Sequence, residues 1–124
     1  MLGENEVYIN KRGIIEIKVR GDLTVASVQA MGDEALRLAR QLRKSKKKAL
    51  VLDNLLEIGD VPAEARRRVA DLVRSSDYDR LAMLGSGTLL KLGANLIMHA
   101  TRRDKSVRYF DSRTDAIRWL EAES

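Results

Sequence analysis

Two short, nearly all-apolar runs, each followed by an amphipathic helical pattern, constrain the fold of this chain more than any other feature. The runs occupy residues 49–53 and 81–84, and the helical patterns after them span residues 62–75 and 88–100. Such runs are typical of interior strands that are covered on both faces. A longer helical pattern, residues 24–44, precedes the first run. This alternation predicts an α/β fold with parallel strands and helical crossovers.

The two ends of the chain complete the order of elements. Alternating apolar residues at 7–9 and 14–20 predict an antiparallel hairpin, and residues 106–110 predict a last strand. Ser112 and Asp115 predict a capping-box-like start to a closing helix, which packs on the sheet through Trp119. We therefore expect β-β-α-β-α-β-α-β-α, a mostly parallel five-stranded sheet with one antiparallel strand and packed helices. The length of 124 residues predicts a single α/β domain over residues 1–124.

Composition removes several classes of function. The chain has no cysteine and a single histidine, His99, so thiolate zinc sites, thiol nucleophiles and multi-histidine metal sites are excluded. We expect no catalytic residues, no metal and no cofactor, and hence no enzyme. No apolar run approaches the roughly 20 residues that cross a bilayer, and the N-terminus lacks a secretory pattern. These patterns predict a cytoplasmic protein without a membrane span.

Positive charge is concentrated in clusters. The 23 Lys and Arg exceed the 18 Asp and Glu, and residues 37–48 hold positive charges without any acid. Residues 66–68 and 102–108 form two further groups. Because aromatic residues make up only 4% and no known nucleic-acid-binding motif is present, we do not expect nucleic acid as a partner. The clusters are interpreted as solvated surface or as a means of steering an acidic partner.

Polar residues follow the predicted parallel strands, whose carboxyl ends meet at one edge of the sheet. A loop is predicted over residues 54–60, and Thr24 and Thr88 are predicted N-caps. Asp53, Glu57 and Asp60 are possible oxygen ligands for a cation, although capping or solvation explains them equally well. The candidate binding residues at this edge are Thr24, Asn54, Glu57, Asp60, Ser86 and Thr88.

The third predicted helix is apolar on nearly every side. Lys91, Asn95 and His99 form one narrow polar stripe. Core packing accounts for Leu89, Leu96, Ile97 and Ala100, but not for Leu90, Leu92 and Met98 together. We therefore predict that these last three residues contribute to a homodimer interface or to the wall of an apolar pocket beside the second helix.

Three segments carry a resemblance to a known family: Gly-Asp-Leu-Thr at 21–24, the strand at 49–53 before an acidic loop, and residues 110–120 with the final Asp-Ala-Ile-Arg-Trp-Leu. In order and spacing the chain resembles the SpoIIAA-like branch of the STAS superfamily, the fold of bacterial anti-sigma factor antagonists, and the related lipid-binding CRAL-TRIO fold. The resemblance implies a non-enzymatic regulatory or interaction module, often a homodimer, that binds a regulatory protein partner. The alternative it implies is a carrier of a small apolar, lipid-like ligand.

One departure from the family pattern affects regulation. In the antagonists that are switched by phosphate, the helix after the third strand opens with Asp-Ser-Ser-Gly or a similar hydroxyl motif. The matching stretch here, Asp60-Val61-Pro62-Ala63, has the acid but no hydroxyl. We therefore expect no phosphate switch at this helix.

Overall fold

Five strands form one sheet, and four helices pack against it in the computed structural model, which describes residues 2–102 and 105–123, apart from the side chains of residues 89 and 100. The sheet runs in the spatial order β1-β2-β3-β4-β5, with β1 antiparallel to β2 and all other neighbouring pairs parallel. The predicted element order and the mixed sheet are confirmed. The elements are β1 (Glu6–Ile9), β2 (Ile15–Gly21), α1 (Val25–Lys44), β3 (Leu50–Ile58), α2 (Ala63–Ser75), β4 (Arg80–Leu84), α3 (Thr88–Thr101), β5 (Val107–Phe110) and α4 (Arg113–Glu121).

The sheet separates two apolar cores. Successive side chains of a strand point to opposite faces, so Val51 and Leu55 of β3 belong to the core beneath α1, α2 and α3. Leu52, between them, belongs to a smaller core beneath α4, together with Ala116 and Leu120. β3 is therefore covered on both faces, as its nearly all-apolar start predicts.

Side-chain caps define the starts of α1 and α4. Thr24 and Ser27 form a reciprocal capping box, in which the Ser27 amide donates to Thr24 Oγ1 at 3.0 Å and the Thr24 amide donates to Ser27 Oγ at 3.0 Å. Ser112 accepts a hydrogen bond from the Asp115 amide at 3.3 Å. Both N-caps agree with the sequence prediction, because each satisfies an amide that the helix itself leaves free.

α2 is held mainly by its two neighbouring helices and not by the sheet. Its principal contacts are with α1 and α3, and Ala65 and Val73 are its buried residues. The contact with α1 is close at Gly32, where a Cβ atom would lie 2.8 Å from Leu72 Cδ1. α2 thus bridges α1 and α3 above the central strands and leaves space beneath itself.

Two local predictions are wrong. β3 continues to Ile58, so residues 54–58 are strand and not loop, because Glu57 and Ile58 pair with the end of β2 after a local register irregularity. Thr88 is the first residue of α3, and Gly87 is its N-cap, without a side-chain cap. Gly87 has φ of 92°, a backbone conformation that glycine adopts without steric cost.

Candidate functional site

The space beneath α2 is a cavity of about 480 Å³ between the sheet and α1, α2 and α3. This volume lies within the range of small-molecule sites. Its walls are mostly apolar and come from strands and helices alike, including Val19, Met31, Leu55, Val69, Leu90 and Ile97. A cavity with such walls favours an apolar molecule over water.

Four titratable side chains line this cavity: Asp53, Asp60, Arg66 and Tyr78. Asp60 and Arg66 are exposed residues, whereas Asp53 and Tyr78 are partly buried. Asp53 lies near the middle of β3, and Tyr78 lies in the segment between α2 and β4. The cavity therefore combines apolar walls with a few fixed polar groups, as ligand sites commonly do.

Of the four titratable residues that line the cavity, Asp53 alone belongs to a strand of the sheet. Its Cα pairs with Ile17 on β2 and with Met83 on β4, and both residues also line the cavity. Burial raises the pKa of Asp53 to about 7, because a low-dielectric environment disfavours the charged carboxylate. Burial, and then the Asp53 charge, raise the pKa of Tyr78 to about 12.

One side of the cavity is closed by contacts between the end of β2 and the segment after β3. Asp22 Oδ1 accepts a hydrogen bond from the Asp60 amide at 2.8 Å, and the Leu23 amide donates to the Asp60 carbonyl at 2.9 Å. Gly59 fits here because a Cβ atom would collide with Asp22 Oδ1 and lie 2.9 Å from the Gly21 carbonyl carbon. This junction holds Asp60 at the cavity.

The predicted edge residues do not converge on one site. Asn54 is buried on the opposite face of the sheet, where it donates to Glu16 Oε2 at 3.3 Å. Glu57 Oε2 lies 3.8 Å from Arg20 Nε, and Glu57 does not line the cavity. Both residues belong to β3 and not to an edge loop, since the strand runs past the point predicted for its end.

Of the remaining edge candidates, Asp60 alone lines the cavity. The Thr24 side chain caps α1. Ser86 and Thr88 are exposed at the start of α3 and are not part of the cavity lining. Asp53, Glu57 and Asp60 do not form a metal site, and the described residues contain no group of three His, Cys, Asp or Glu side chains suited to hold a metal ion.

Some apolar residues of α3 line or lie near the cavity, and others are exposed to solvent. Leu90 lines the cavity, and Met98 packs partly buried against the core. Leu92 is 54% exposed and Leu96 is 71% exposed. The prediction of Leu96 as core is wrong, because α3 packs against α2 and the edge strand β5, and Leu96 lies on a side of the helix that these contacts leave exposed. The side chains of Leu89 and Ala100, also predicted as core, lie outside the described residues.

The sequence interpretation did not identify the polar groups inside the cavity. The sequence interpretation treats Asp53 as a cation ligand or as a capping or solvated acid, although an acid in an otherwise apolar strand covered on both faces signals a buried carboxylate. Tyr78 carries no such signal, because its position follows from the path of the chain between α2 and β4.

The opposite face of the sheet also holds a buried carboxylate, but there it is paired. Arg113 donates two hydrogen bonds to Glu16, at 2.7 and 3.0 Å, and Asn10 and Asn54 each donate one at 3.3 Å. Burial alone would raise the Glu16 pKa, but these hydrogen bonds outweigh it and lower the pKa to about 2. Among the described residues, Asp53 has no comparable side-chain partner.

The sheet order and the crossover helices define an α/β domain. The family model described as SpoIIAA-like matches residues 14–121, and the chain belongs to that family. Membership suggests a regulatory or interaction module.

One solved structure of similar fold is an uncharacterized protein of the DUF3478 family from Shewanella loihica PV-4, described as having a SpoIIAA-like fold. It has 19% sequence identity and a TM-score of 0.64, over 94% of this chain and 91% of the other. No curated protein matches this chain. None of the helices in residues 2–102 and 105–123 combines the length and hydropathy required to span a bilayer.

Proposed function

We propose that this protein is a non-enzymatic regulatory module that binds a small, largely apolar molecule in the cavity beneath α2. The supporting observation is the cavity of about 480 Å³ with apolar walls. Transferring apolar surface from water into such a cavity is favourable by roughly 25 cal/mol per Å². α2, which bridges two helices above the cavity, covers the bound molecule.

A side chain that fills the cavity tests this function. Gly93 of α3 lines the cavity, and a Cβ atom there meets no heavy atom within 4 Å. Gly93→Phe should therefore project into the cavity and exclude a ligand, whereas Gly93→Ala should leave most of the space open. We expect an environment-sensitive apolar dye to bind the wild type and Gly93→Ala but not Gly93→Phe.

Native mass spectrometry of protein purified without a ligand-removal step provides a second measurement. An additional mass on the wild type that is absent from Gly93→Phe would support the proposal. Equal dye binding by all three folded proteins would contradict it.

The exposed leucines of α3 favour a second candidate function, a homodimer that acts through protein contacts. Leu92 and Leu96 are four residues apart, so they lie on the same face of α3, and both are exposed. Two copies that meet through this face would shield both side chains from water. Leu92→Lys should then convert a dimer into a monomer in sedimentation experiments without unfolding the domain. Leu36→Lys on α1, at a leucine that is 39% exposed and lies on a different helix, is the control.

A further inference from the structure

We propose that the ligand of the cavity carries an amino group and that Asp53 binds this group; this inference rests on the function proposed above. The polar end of the ligand would lie against the centre of the sheet. Its apolar part would occupy the space beneath α2 and α3.

The position of Asp53 supports this assignment. It lies between Ile17 and Met83 in the sheet, and all three residues line the cavity. Because Asp53 is only partly buried and belongs to the lining, its accessible surface faces the cavity. A ligand that fills the cavity must therefore contact the Asp53 side chain or leave it without a partner.

The charge around Asp53 indicates which ligand group fits. Within the described part of the chain, no side chain forms an ion pair with Asp53, in contrast to Glu16 on the other face. Besides Asp53, the titratable groups of the cavity are Tyr78, Asp60 and Arg66. Burial is the cause of the raised Asp53 pKa, and no cation among residues 2–102 and 105–123 offsets it.

An uncompensated carboxylate in an apolar cavity requires hydrogen-bond donors. An ammonium group supplies three donors and the opposite charge, whereas a ligand carboxylate would add a second negative charge. An alcohol supplies one neutral donor. The expected order of preference is therefore amine, then alcohol, then carboxylate, for molecules with the same apolar tail.

Three probes with the same tail test this order: decylamine, decanol and decanoate, titrated into the wild type and Asp53→Asn by calorimetry. For the wild type at about pH 8, where both Asp53 and the amine are charged, decylamine should bind about tenfold or more tightly than decanol. Asp53→Asn should bind decanol as the wild type does, lose the preference for the amine and bind decanoate more tightly.

The pH dependence provides an independent measurement. The affinity of the wild type for decylamine should rise between about pH 6 and pH 8, as Asp53 ionises while the amine remains protonated. The affinity of Asp53→Asn should not change over this range. Thermal unfolding would show that the variant is folded.

The outcomes separate the two proposals. If decanol binds the wild type and the amine binds no more tightly, the assignment of Asp53 is overturned while ligand binding in the cavity stands. If Asp53→Asn keeps the preference for the amine, the assignment is overturned as well. If none of the three probes binds the wild type, both proposals fail.

Discussion

The Arg113 guanidinium at the start of α4 holds the Glu16 carboxylate of β2 with two hydrogen bonds of 2.7 and 3.0 Å. The Glu16 side chain is 3% exposed and that of Arg113 is 46% exposed, so the carboxylate depends on this partner more than the guanidinium does. The pair fixes the start of α4 to the sheet, next to the small core formed around Leu52.

Glu16→Gln should therefore lower the free energy of unfolding by about 1 to 3 kcal/mol, because it removes the charge that the buried hydrogen bonds stabilise. The Glu16 pKa in the folded protein, about 2, is below its ordinary value of 4.5. The stabilisation that the ionised Glu16 carboxylate provides is thus present above pH 4.5 and is lost as the pH falls through about 2. Denaturant unfolding between about pH 2 and pH 6 should show that the free energy of unfolding falls less toward acidic pH for Glu16→Gln than for the wild type.

Asp53 should have the opposite dependence on pH. Its folded-state pKa of about 7 is above its ordinary value of 3.8, so the folded protein holds the proton more tightly than the unfolded chain does. The stability associated with that proton is fully present below pH 3.8 and is lost as the pH rises through about 7.

Asp53→Asn should accordingly be more stable than the wild type above about pH 7, by about 1 to 3 kcal/mol. This is less than the full pKa shift implies, since Asp53 is partly accessible in the cavity. The difference should vanish at acidic pH, where Asp53 is neutral. Stability profiles of the two proteins that run parallel from acidic to alkaline pH would refute this prediction.

Two glycine substitutions should have opposite effects on stability. Gly59→Ala places a Cβ atom against Asp22 and the Gly21 backbone and should destabilise the protein by about 1 to 3 kcal/mol. Gly93→Ala adds a Cβ atom in open space within a helix and should stabilise it by about 0.5 to 1 kcal/mol. Chemical denaturation of both variants measures the difference. A Gly59→Ala variant as stable as the wild type would contradict the prediction, because it would show that the junction between the end of β2 and the segment after β3 can relax.

No phosphate should be found between residues 54 and 64, because this segment contains no serine, threonine or tyrosine. Phosphopeptide mapping of the protein isolated from its native cells measures this directly. A stoichiometric phosphoryl group on any side chain of the segment would contradict the expectation that α2 starts without a phosphate switch.

DNA binding should be weak and salt-dependent. Clustered cations already have acidic partners: Arg37 pairs with Glu34 at 2.7 Å, and Arg43 lies 3.5 Å from both Asp77 and Asp79. Fluorescence anisotropy at physiological salt should give dissociation constants in the non-specific range of about 10⁻⁴ to 10⁻⁶ M. Submicromolar binding would overturn this prediction.

The order of elements could be predicted from the sequence because alternation and helical spacing are local signals. The same holds for the caps at Thr24 and Ser112, where the side chain and the amide it accepts from are three residues apart. The end of β3 could not be predicted from the sequence, since residues 54–58 form a strand only where the last residues of β2 provide hydrogen-bonding partners.

The cavity itself depends on distances that no local pattern encodes. The close contact between Leu72 of α2 and Gly32 of α1 fixes how near these two helices lie to each other, and the two residues are far apart in the sequence. The period of β3 places Asp53 on the same face as Val51, but it does not show whether a helix or a space lies above that face. The exposure of Leu96 likewise follows from the position of α3 over an edge strand.

The only tryptophan of the chain, Trp119, lies on α4, across the sheet from the cavity. Its ring is 5.6 Å from that of Phe110, and the guanidinium groups of Arg80 and Arg108 lie 5.5 and 5.4 Å from its centre. Intrinsic tryptophan fluorescence should therefore report the docking of α4 and global unfolding, since the indole does not line the cavity. Trp119 fluorescence is thus an intrinsic probe of the folded state at a place separate from the proposed binding site.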